Sequence, residues 1–437
     1  MKIALVARHA VPTAYALDPY SADQAAQVDG LGRALAAKGH DVVIYARKES
    51  ADQPDRQALA PRLLVEYLTA GPLAPVPADQ LSNYVKDIAS HLSDRWRKNA
   101  PAVVHAFHWT NGLAALSAAR EHPVPVVVSF GSLGAAERRH RVAGESASIR
   151  LRMESCIAKA ATTVLASTSE EVDELARLGT PNAKVRMVPC GVDTKKFKPT
   201  GRIAKRNSRP QLIAIGPLAE YRGLDKIMRC LVDLPTVELT IVGGPAEDLD
   251  ADHGYRTLGK LAAHLGVADR VRFAGHVSDD ELPKLIRSAD LLVSAARYEP
   301  VGLAAIRAMA CGVPVIATSV GSYADAVIDG TSGMLVPPSR PEMLGGRLRD
   351  LLATPMRLAA FGIAACDRAT SRYSWERIAT ETLTVYERSI GLTAPESTSA
   401  EPETDTETDT ETSAPSLVTG PVATATRRSR PAERRAA

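Results

Sequence analysis

The sequence predicts an α/β protein built from two doubly wound parallel sheets, and two observations support this prediction. Short apolar runs recur along the chain without the apolar–polar alternation of a half-exposed strand, as strands covered on both faces require. These runs are separated by longer Ala- and Leu-rich stretches that are typical of helices. A sheet of parallel strands with helices on both faces accounts for both patterns.

The apolar runs fall into two groups. The first half of the chain contains IALVA, DVVIYA, LLVEYL, AVVHAF, VPVVVSF and TTVLAST, and the second half contains LIAIG, VELTIVGG, VRFAGHV, LLVSAA, VPVIATSV and GMLVPP. Between the groups, residues 197–211 (FKPTGRIAKRNSRPQ) are rich in Pro, Gly and basic side chains, a composition typical of a linker. We therefore predict one domain over residues 1–197 and a second over residues 198–371.

Composition narrows the class of protein. With 45% apolar and 24% charged residues, the 437-residue chain is predicted to be soluble, and its net charge of +3 is too small to indicate a nucleic-acid or membrane partner. The five cysteines are odd in number and form no CxxC pair, so a reducing cytoplasm fits best. No run approaches the ~18–20 apolar residues of a membrane span, and the N-terminal MKIALVARHA is predicted to be a strand instead of a signal segment.

The last part of the chain has a different composition. Residues 392–437 contain an acidic, Thr-rich repeat (EPETDTETDTE) and an arginine cluster, with few large apolar side chains. Such a segment cannot bury enough area to offset its ordering entropy, so we predict a disordered tail. Its role as a solvated tail or as an interaction segment stays open.

The most informative motif is EPVGLAAIRAMACGVP at residues 299–314. It follows one apolar run and leads into another, and it is predicted to form a tight loop carrying Glu299, a helix and a stop at Gly312. A strand–loop–helix turn of this kind directs backbone N–H groups and the positive helix end at whatever lies above the sheet. This arrangement suits a phosphate.

This motif resembles the donor-site signature of the retaining nucleotide-sugar glycosyltransferases of the GT-B fold, specifically family 4. The signature is Glu, seven residues, Glu, then Ala-Met-Ala-x-Gly-x-Pro; Glu299 stands at its first Glu and Arg307 at its second. VRMVPCGVD (residues 185–193), residues 269–303, VIDGTSGMLVPP and RYSWERIATETLTVYE (residues 372–387) are also similar to the family. The resemblance covers about residues 1–390.

The resemblance implies two Rossmann-like domains facing across a cleft. The acceptor would bind to residues 1–197 and the nucleoside-diphosphate sugar to residues 198–371, while residues 372–391 would form a closing helix that returns to the first domain. Family members transfer the sugar with retention, usually without a metal, so we expect no cofactor. The expected partners are a nucleotide sugar and a small acceptor, with a phosphorylated acceptor as one alternative. The oligomeric state stays open, with a homodimer as one alternative.

Within the family, the first half is most similar to the mycothiol-pathway N-acetylglucosaminyltransferase and its sucrose-phosphate-synthase-like relatives. PAVVHAFHWTNGLAAL (residues 101–116) resembles their Val-Val-His-x-His-aromatic-Trp-x-Ser-Gly run, and SFGSLGAAERRH (residues 129–140) resembles their Thr-Phe-His-x-Leu-Gly…Arg-Arg-His run. This similarity suggests acceptor contacts from His105, His108, Arg138 and Arg139. A structural histidine and a solvated charge run are the alternatives.

Four positions with functional residues in the family are occupied differently in this chain: Phe107, Gly131, Pro217 and Arg307. The family carries His at the first two, a phosphate-binding Arg at the third and the ribose-binding Glu at the fourth. Aligning GPLAEYRG with Gly-Arg-Leu-x-x-x-Lys-Gly puts Arg222 at the phosphate-binding Lys. In addition, the glycine loop after the first strand, Gly-Gly-Gln in close relatives, is Ala22-Asp23-Gln24.

The resemblance assigns candidate roles in donor binding. Glu299 would hold the sugar, with capping of the following helix as the structural alternative. The donor-binding candidates are Gly216, Arg222, Val301, Gly302, Leu303 and Arg307. Arg222 and Arg307 against Glu299 give a net charge of +1 (2 − 1), whereas the two cations and two glutamates of the family pattern give 0 (2 − 2). The anionic diphosphate should therefore still bind. Without the ribose clamp we expect nucleotide affinity to be lower by roughly 10- to 100-fold.

Two functional hypotheses follow. The first is an active retaining glycosyltransferase, and the second is a catalytically impaired GT-B module that acts as a binding or regulatory partner. The four substitutions favour the second hypothesis, and the intact Glu299-Pro-x-Gly loop favours the first. The acidic segment 247–253 (EDLDADH) matches no closed set of metal ligands, so no metal site is predicted.

Overall fold

The computed structural model describes residues 1–10, 19–142, 148–245 and 248–391. The predicted disordered tail lies outside the described residues, as does Glu247 of the acidic segment, and both predictions stay untested. No helix within these described ranges is long and apolar enough to cross a membrane.

The first half of the chain forms an eight-stranded sheet with the order β3-β4-β2-β1-β5-β6-β7-β8. Every neighbouring pair is parallel except β3 and β4, which are antiparallel. The strands are β1 (Lys2–Val6), β2 (Asp41–Arg47), β3 (Arg56–Ala60), β4 (Leu63–Leu68), β5 (Val103–Phe107), β6 (Val126–Ser129), β7 (Thr163–Ala166) and β8 (Val185–Met187).

The second half forms a six-stranded, all-parallel sheet with the order β11-β10-β9-β12-β13-β14. Its strands are β9 (Gln211–Ile215), β10 (Glu238–Val242), β11 (Val271–Gly275), β12 (Leu291–Ser294), β13 (Val315–Thr318) and β14 (Gly333–Val336). All six strands correspond to apolar runs identified in the sequence. The predicted fold class, two doubly wound α/β sheets, is confirmed.

Helices cover both sheets. Those of the first half are α1 (Pro19–Ala37), α2 (Val85–Lys98), α3 (Trp109–Ala119), α4 (Gly134–Arg139), α5 (Ser148–Ala160) and α6 (Ser169–Arg177). Those that follow are α7 (Leu224–Cys230), α8 (His253–His264), α9 (Leu282–Ser288), α10 (Leu303–Ala310), α11 (Gly321–Ala326), α12 (Met343–Leu352), α13 (Pro355–Tyr373) and α14 (Trp375–Ser389).

Successive side chains of the central strands enter opposite cores. In β1, Ile3 and Leu5 pack into one apolar cluster of the first sheet, whereas Ala4 and Val6 pack into the cluster on its other face. The second sheet also has an apolar cluster on each face. Because both faces exclude water, the strands need apolar residues at every position, which explains the unbroken runs.

Helix α14 returns to the first half of the chain and packs against α1. Its Trp375 ring lies between Gly30 and Gly191, where a Cβ atom on either glycine would come within 2.1 or 2.4 Å of the ring. Farther along α14, the Tyr386 hydroxyl lies 2.7 Å from Nδ1 of the buried His105 in β5. The helix therefore ties the two halves together on one side.

The two halves also meet on a second side, through α6 and α11. Ser169 Oγ donates to Asp325 Oδ1 at 2.6 Å, and the Gly321 N–H donates to Glu170 Oε2 at 3.0 Å. Contacts on both sides frame a cleft between the carboxyl ends of the two sheets. The described conformation is thus one in which the halves already touch.

A buried carboxyl group in α6 predicts a specific pH dependence of stability. Burial raises the pKa of Glu171 to about 7 from an ordinary value of 4.5, although its Oε2 accepts the Ser167 N–H at 2.7 Å. The folded state therefore binds this proton more tightly than the unfolded state, and stability falls as pH rises from about 4.5 to 7. We expect Glu171→Gln to raise the free energy of unfolding at pH 8 by up to about 3 kcal/mol.

Chemical denaturation of the wild type and Glu171→Gln from pH 4 to 8 measures this effect, with the exposed Glu220→Gln as control. Parallel stability curves for the wild type and Glu171→Gln would contradict the assignment.

Candidate active site

The site is built on the loop between β12 and α10. Glu299 in this loop is 4% exposed, and its Oε1 accepts the Gly302 N–H at 3.0 Å at the start of α10. Its backbone carbonyl accepts both the N–H and the hydroxyl of Ser322, at 2.9 and 3.1 Å. The structure therefore shows the capping contact that the sequence left as the alternative role for Glu299. Contact with a sugar stays a prediction.

Arg222 forms a buried ion pair with Glu299. The guanidinium is 8% exposed and also donates to the Ile215 carbonyl at 3.0 Å and to the Tyr323 hydroxyl at 3.4 Å. Burial acts to raise the pKa of Glu299, but Arg222 and the Gly302 N–H outweigh it and hold that pKa below its ordinary value. Both groups are thus charged, and each depends on the other for compensation.

Arg222 reaches this position from a short 3₁₀ turn, Glu220–Arg222, that follows β9. The next residue, Gly223, has φ of 66°, and a Cβ atom there would lie 2.2 Å from the Ala295 carbonyl oxygen at the end of β12. Gly216 borders the same guanidinium, with a hypothetical Cβ 2.7 Å from Arg222 Nη2. Close approach of the two loops brings Arg222 and Glu299 together.

We expect Gly223→Ala to disrupt this approach. The left-handed conformation alone costs an alanine about 1–2 kcal/mol, and the clash with backbone oxygen adds to that cost. Thermal unfolding should show lower stability together with weaker nucleotide binding. Gly346→Ala is the matched control because it lies in helix α12 with no heavy atom near its hypothetical Cβ, and it should be neutral or stabilising. Equal Tm values for the two variants would refute this account of Gly223.

A pocket of about 620 Å³ opens beside α10. Its walls come from both halves of the chain and from the segment linking them. The lining includes Ala26, Gly30, Gly191, Phe197, Leu303 and Arg307. The volume lies within the 300–1,000 Å³ typical of small-molecule sites.

Arg307 lies in this pocket one turn after Leu303. Its guanidinium carbon is 5.0 Å from the centre of the Phe197 ring, and its Nη2 is 3.8 Å from Asp279 Oδ1. Pro217, which replaces the family's phosphate-binding Arg, lines a separate recess of about 10 Å³ beside Arg222. Arg307 and Pro217, the two substituted positions of the second domain, therefore line different cavities.

Asp23 is a charged group of the cleft that the sequence reasoning missed. It lies half-buried in the first turns of α1. Burial, then repulsion by Glu299, raises its pKa to about 6, against the attraction of Arg307 and Arg222. Adding Asp23 to the groups counted from the sequence gives Arg222 and Arg307 against Glu299 and Asp23, a net charge of 0 (2 − 2) for these four groups. From the sequence, this position was identified only as one where close relatives carry a glycine.

The structure gives His105 a structural position. The Ser129 hydroxyl donates to the Leu165 carbonyl at 3.1 Å, so His105 Nε2 donates to Ser129 Oγ at 2.9 Å and Nδ1 accepts from Tyr386. Burial lowers the pKa of His105 to about 3, so the ring is neutral. A neutral ring that is 2% exposed, with both nitrogens bonded, does not fit the predicted acceptor contact.

The other acceptor candidates differ in exposure. Half-buried His108 precedes α3 with φ of 74°, a strained value of the kind that clusters at functional sites, and its Nδ1 lies 3.0 Å from Thr110 Oγ1. Arg138 is exposed, whereas Arg139 pairs with Glu170 and Glu174 of α6. Both arginines are exposed, but Arg139 is engaged by the two glutamates of α6.

Two of the substituted positions lie in the first domain, Phe107 in the core and Gly131 near Gln24. Phe107 is 1% exposed and its ring centre lies 4.1 Å from that of His105, so it is part of the core. At Gly131, a hypothetical Cβ would be 3.8 Å from Gln24 Nε2, which shows that the Gln24 side chain lies near this position.

Comparisons with known proteins define the class. Residues 24–196 match the family described as "Glycosyltransferase Family 4", and residues 197–368 match "Glycosyl transferases group 1". The chain is 33% identical over 380 residues to D-inositol 3-phosphate glycosyltransferase 2 of Catenulispora acidiphila, covering 82% of this chain and 88% of the relative.

Among solved structures, sucrose-phosphate synthase from Thermosynechococcus elongatus superimposes with a TM-score of 0.80 and 28% identity, over 90% of this chain and all of that one. HepE of Anabaena, solved in complex with UDP and glucose, shares the fold with a TM-score of 0.69 at 18% identity, over 89% of this chain and 100% of that one.

The chain therefore belongs to the family 4 glycosyltransferases of the GT-B fold, and it is a glycosyltransferase. The predicted resemblance is confirmed, and nothing in these comparisons favours the alternative of a non-catalytic module.

Proposed function

We propose that this glycosyltransferase moves a sugar, with retention of configuration, from a nucleoside diphosphate to a small phosphorylated acceptor such as an inositol phosphate. The observation that carries this proposal is the charged pair of Arg222 and Glu299 at the start of α10, the helix whose Leu303 and Arg307 line a pocket of about 620 Å³. The printed name of the Catenulispora relative, an inositol 3-phosphate glycosyltransferase, supports the choice of acceptor.

The donor would lie along the second domain. Leu303 and Arg307 line the large pocket, so the nucleoside fits there, and the diphosphate would extend toward Arg222 and the first amides of α10. Phosphate binding at Arg222 competes with its present contact to Glu299, which would free the carboxylate to accept hydrogen bonds from sugar hydroxyls.

The transfer would proceed on one face of the sugar. The bond from the anomeric carbon to the diphosphate breaks, its electron pair leaves with the phosphate oxygen, and the acceptor oxygen bonds to the same face while its proton passes to that phosphate. Arg222 and Arg307 stabilise the charge that develops on the diphosphate. The proposed reaction uses no metal cofactor.

The acceptor would bind to the first domain, with its phosphate near the exposed Arg138 and its ring near His108. Contacts between α6 and α11 keep the halves together around the reacting groups, and this exclusion of water would limit hydrolysis of the donor. A cytoplasmic location and a homodimer stay predictions.

Nucleotide release tests the proposal. UDP-glucose, UDP-N-acetylglucosamine and GDP-mannose are each incubated with the protein, with and without D-inositol 3-phosphate, and free UDP or GDP is measured. We expect at least one donor to release nucleotide faster with this acceptor, and unphosphorylated inositol to be a poor substitute. Absence of both nucleotide binding and acceptor-dependent release for all three donors would refute the proposal.

A further inference from the structure

Asp23 lies in α1, about one turn before the residues of that helix that line the large pocket. Asp23, Ala26 and Gly30 are spaced i, i+3 and i+7 along α1, so they share one face of the helix, and Ala26 and Gly30 line the pocket. Asp23 comes earlier along that face than either of them. The first domain thus places a carboxylate near Glu299, Arg307 and Arg222, all three of which belong to the second domain.

The surroundings of Asp23 come from three further elements. Glu299 precedes α10, Arg307 lies within α10, and Arg222 belongs to the turn after β9; all three act on the Asp23 carboxylate, Glu299 most strongly. The Cys190 thiol of the segment before the linker also faces Asp23 and Arg307. Asp23 therefore faces the groups that would hold the sugar and the diphosphate.

We propose, on the basis of the function proposed above, that Asp23 is a specificity-determining residue of the donor site, whose carboxylate accepts hydrogen bonds from hydroxyl groups of the transferred sugar. Asp23 and Glu299 then hold the sugar from opposite walls of the cleft, one from each domain. Binding of the sugar consequently links the two domains, whereas binding of the nucleotide alone does not require Asp23.

This assignment predicts how donor affinity changes with pH. A sugar hydroxyl donates to the ionised carboxylate, and burial together with Glu299 raises the pKa of Asp23 to about 6. Affinity for a UDP-sugar should therefore fall about tenfold from pH 7.5 to pH 5 as the carboxylate takes up its proton. The ordinary pKa of an aspartate, 3.8, would leave affinity almost unchanged over this interval.

Calorimetric titration of Asp23→Asn with UDP-glucose, UDP-N-acetylglucosamine and UDP tests the proposal. At pH 7.5 we expect the variant to bind at least one of these UDP-sugars roughly 10- to 100-fold more weakly than the wild type does, because a charge-assisted hydrogen bond is lost. UDP should bind equally well to both proteins, which also shows that the variant is folded. The variant's affinity for the UDP-sugar should no longer fall between pH 7.5 and pH 5.

Asp94→Asn in α2 is the control, since Asp94 is an exposed carboxylate of the same domain that pairs with Arg97 at 2.6 Å. It should match the wild type in all titrations. Equal UDP-sugar affinities for Asp23→Asn and the wild type would overturn the role of Asp23 while leaving the proposed function intact. Failure of the wild type to bind any of the three nucleotides would overturn both.

Discussion

Glu299→Gln is expected to abolish most of the transfer activity and to lower the free energy of unfolding by about 3–5 kcal/mol. The substitution keeps the shape of the side chain but leaves the Arg222 guanidinium buried without its counter-charge. Binding of UDP or GDP should not weaken, because the lost contact is to the sugar and the diphosphate can supply the counter-charge that Arg222 has lost. Transfer rates, nucleotide titration and chemical denaturation of the same preparation measure these three quantities.

The double variant Arg222→Met/Glu299→Gln separates stability from function. Removing both charges avoids an uncompensated buried ion, so stability should recover most of the loss while transfer stays absent. If Glu299→Gln loses nucleotide affinity and transfer in equal measure, Glu299 only supports the loop through its bond to Gly302 and does not hold the sugar.

Arg307→Glu is expected to weaken nucleotide binding by roughly 10- to 100-fold, because it places a carboxylate beside Asp23 and Asp279 and removes a cation from the diphosphate. Adding Asp23→Gly to Arg307→Glu removes one of the opposed carboxylates and should restore part of the affinity through coupling between the two positions. Titration with UDP and GDP at pH 7.5 measures both variants.

Arg307→Gln provides the comparison for this prediction, since it removes the cation without adding a like charge and should lose less affinity than Arg307→Glu. Tighter nucleotide binding by Arg307→Glu than by the wild type would mean that a carboxylate is the better residue at this position. The charge arrangement described for Asp23 and Arg307 would then be wrong.

The fold was predictable because burial on both faces leaves a local signal in the sequence. All six strands of the second sheet appear as unbroken apolar runs, and so do six of the eight strands in the first. The two missed strands, β3 and β8, are the edge strands of their sheet, with no fully buried residue in either. An edge strand needs no continuous apolar run, so its sequence resembles that of a loop.

The motifs predicted which residues of the second domain form the donor site, but they did not predict how those residues pair. The Glu299 loop and α10 follow from one motif, but Arg222 lies 77 positions from Glu299, and nothing local indicates that the two form a pair. Asp23 is farther still, in the other domain, and its proximity to Glu299 depends on how the halves close. The charge of a cleft is thus a tertiary property, and a count over the two donor-site motifs missed a carboxylate of the other domain.

Acceptor recognition was the least predictable part. His105 and His108 occupy similar places in the sequence, yet one is buried between Ser129 and Tyr386 and the other is half-buried at a strained helix start. The partner that fixes His105 lies 281 residues away in α14. Only the path of α14 distinguishes His105, a structural histidine, from His108, which stays a candidate for acceptor binding.

The central claim is sugar transfer with retention to a phosphorylated acceptor, and the stereochemistry of the product tests it most directly. The protein is incubated with D-inositol 3-phosphate and whichever of UDP-glucose, UDP-N-acetylglucosamine or GDP-mannose releases nucleotide, and the anomeric proton is followed by NMR. We expect the α-anomeric signal of the donor to be replaced by an α-anomeric signal of the product. A β-linked product, or a donor that binds but is never transferred, would contradict the account.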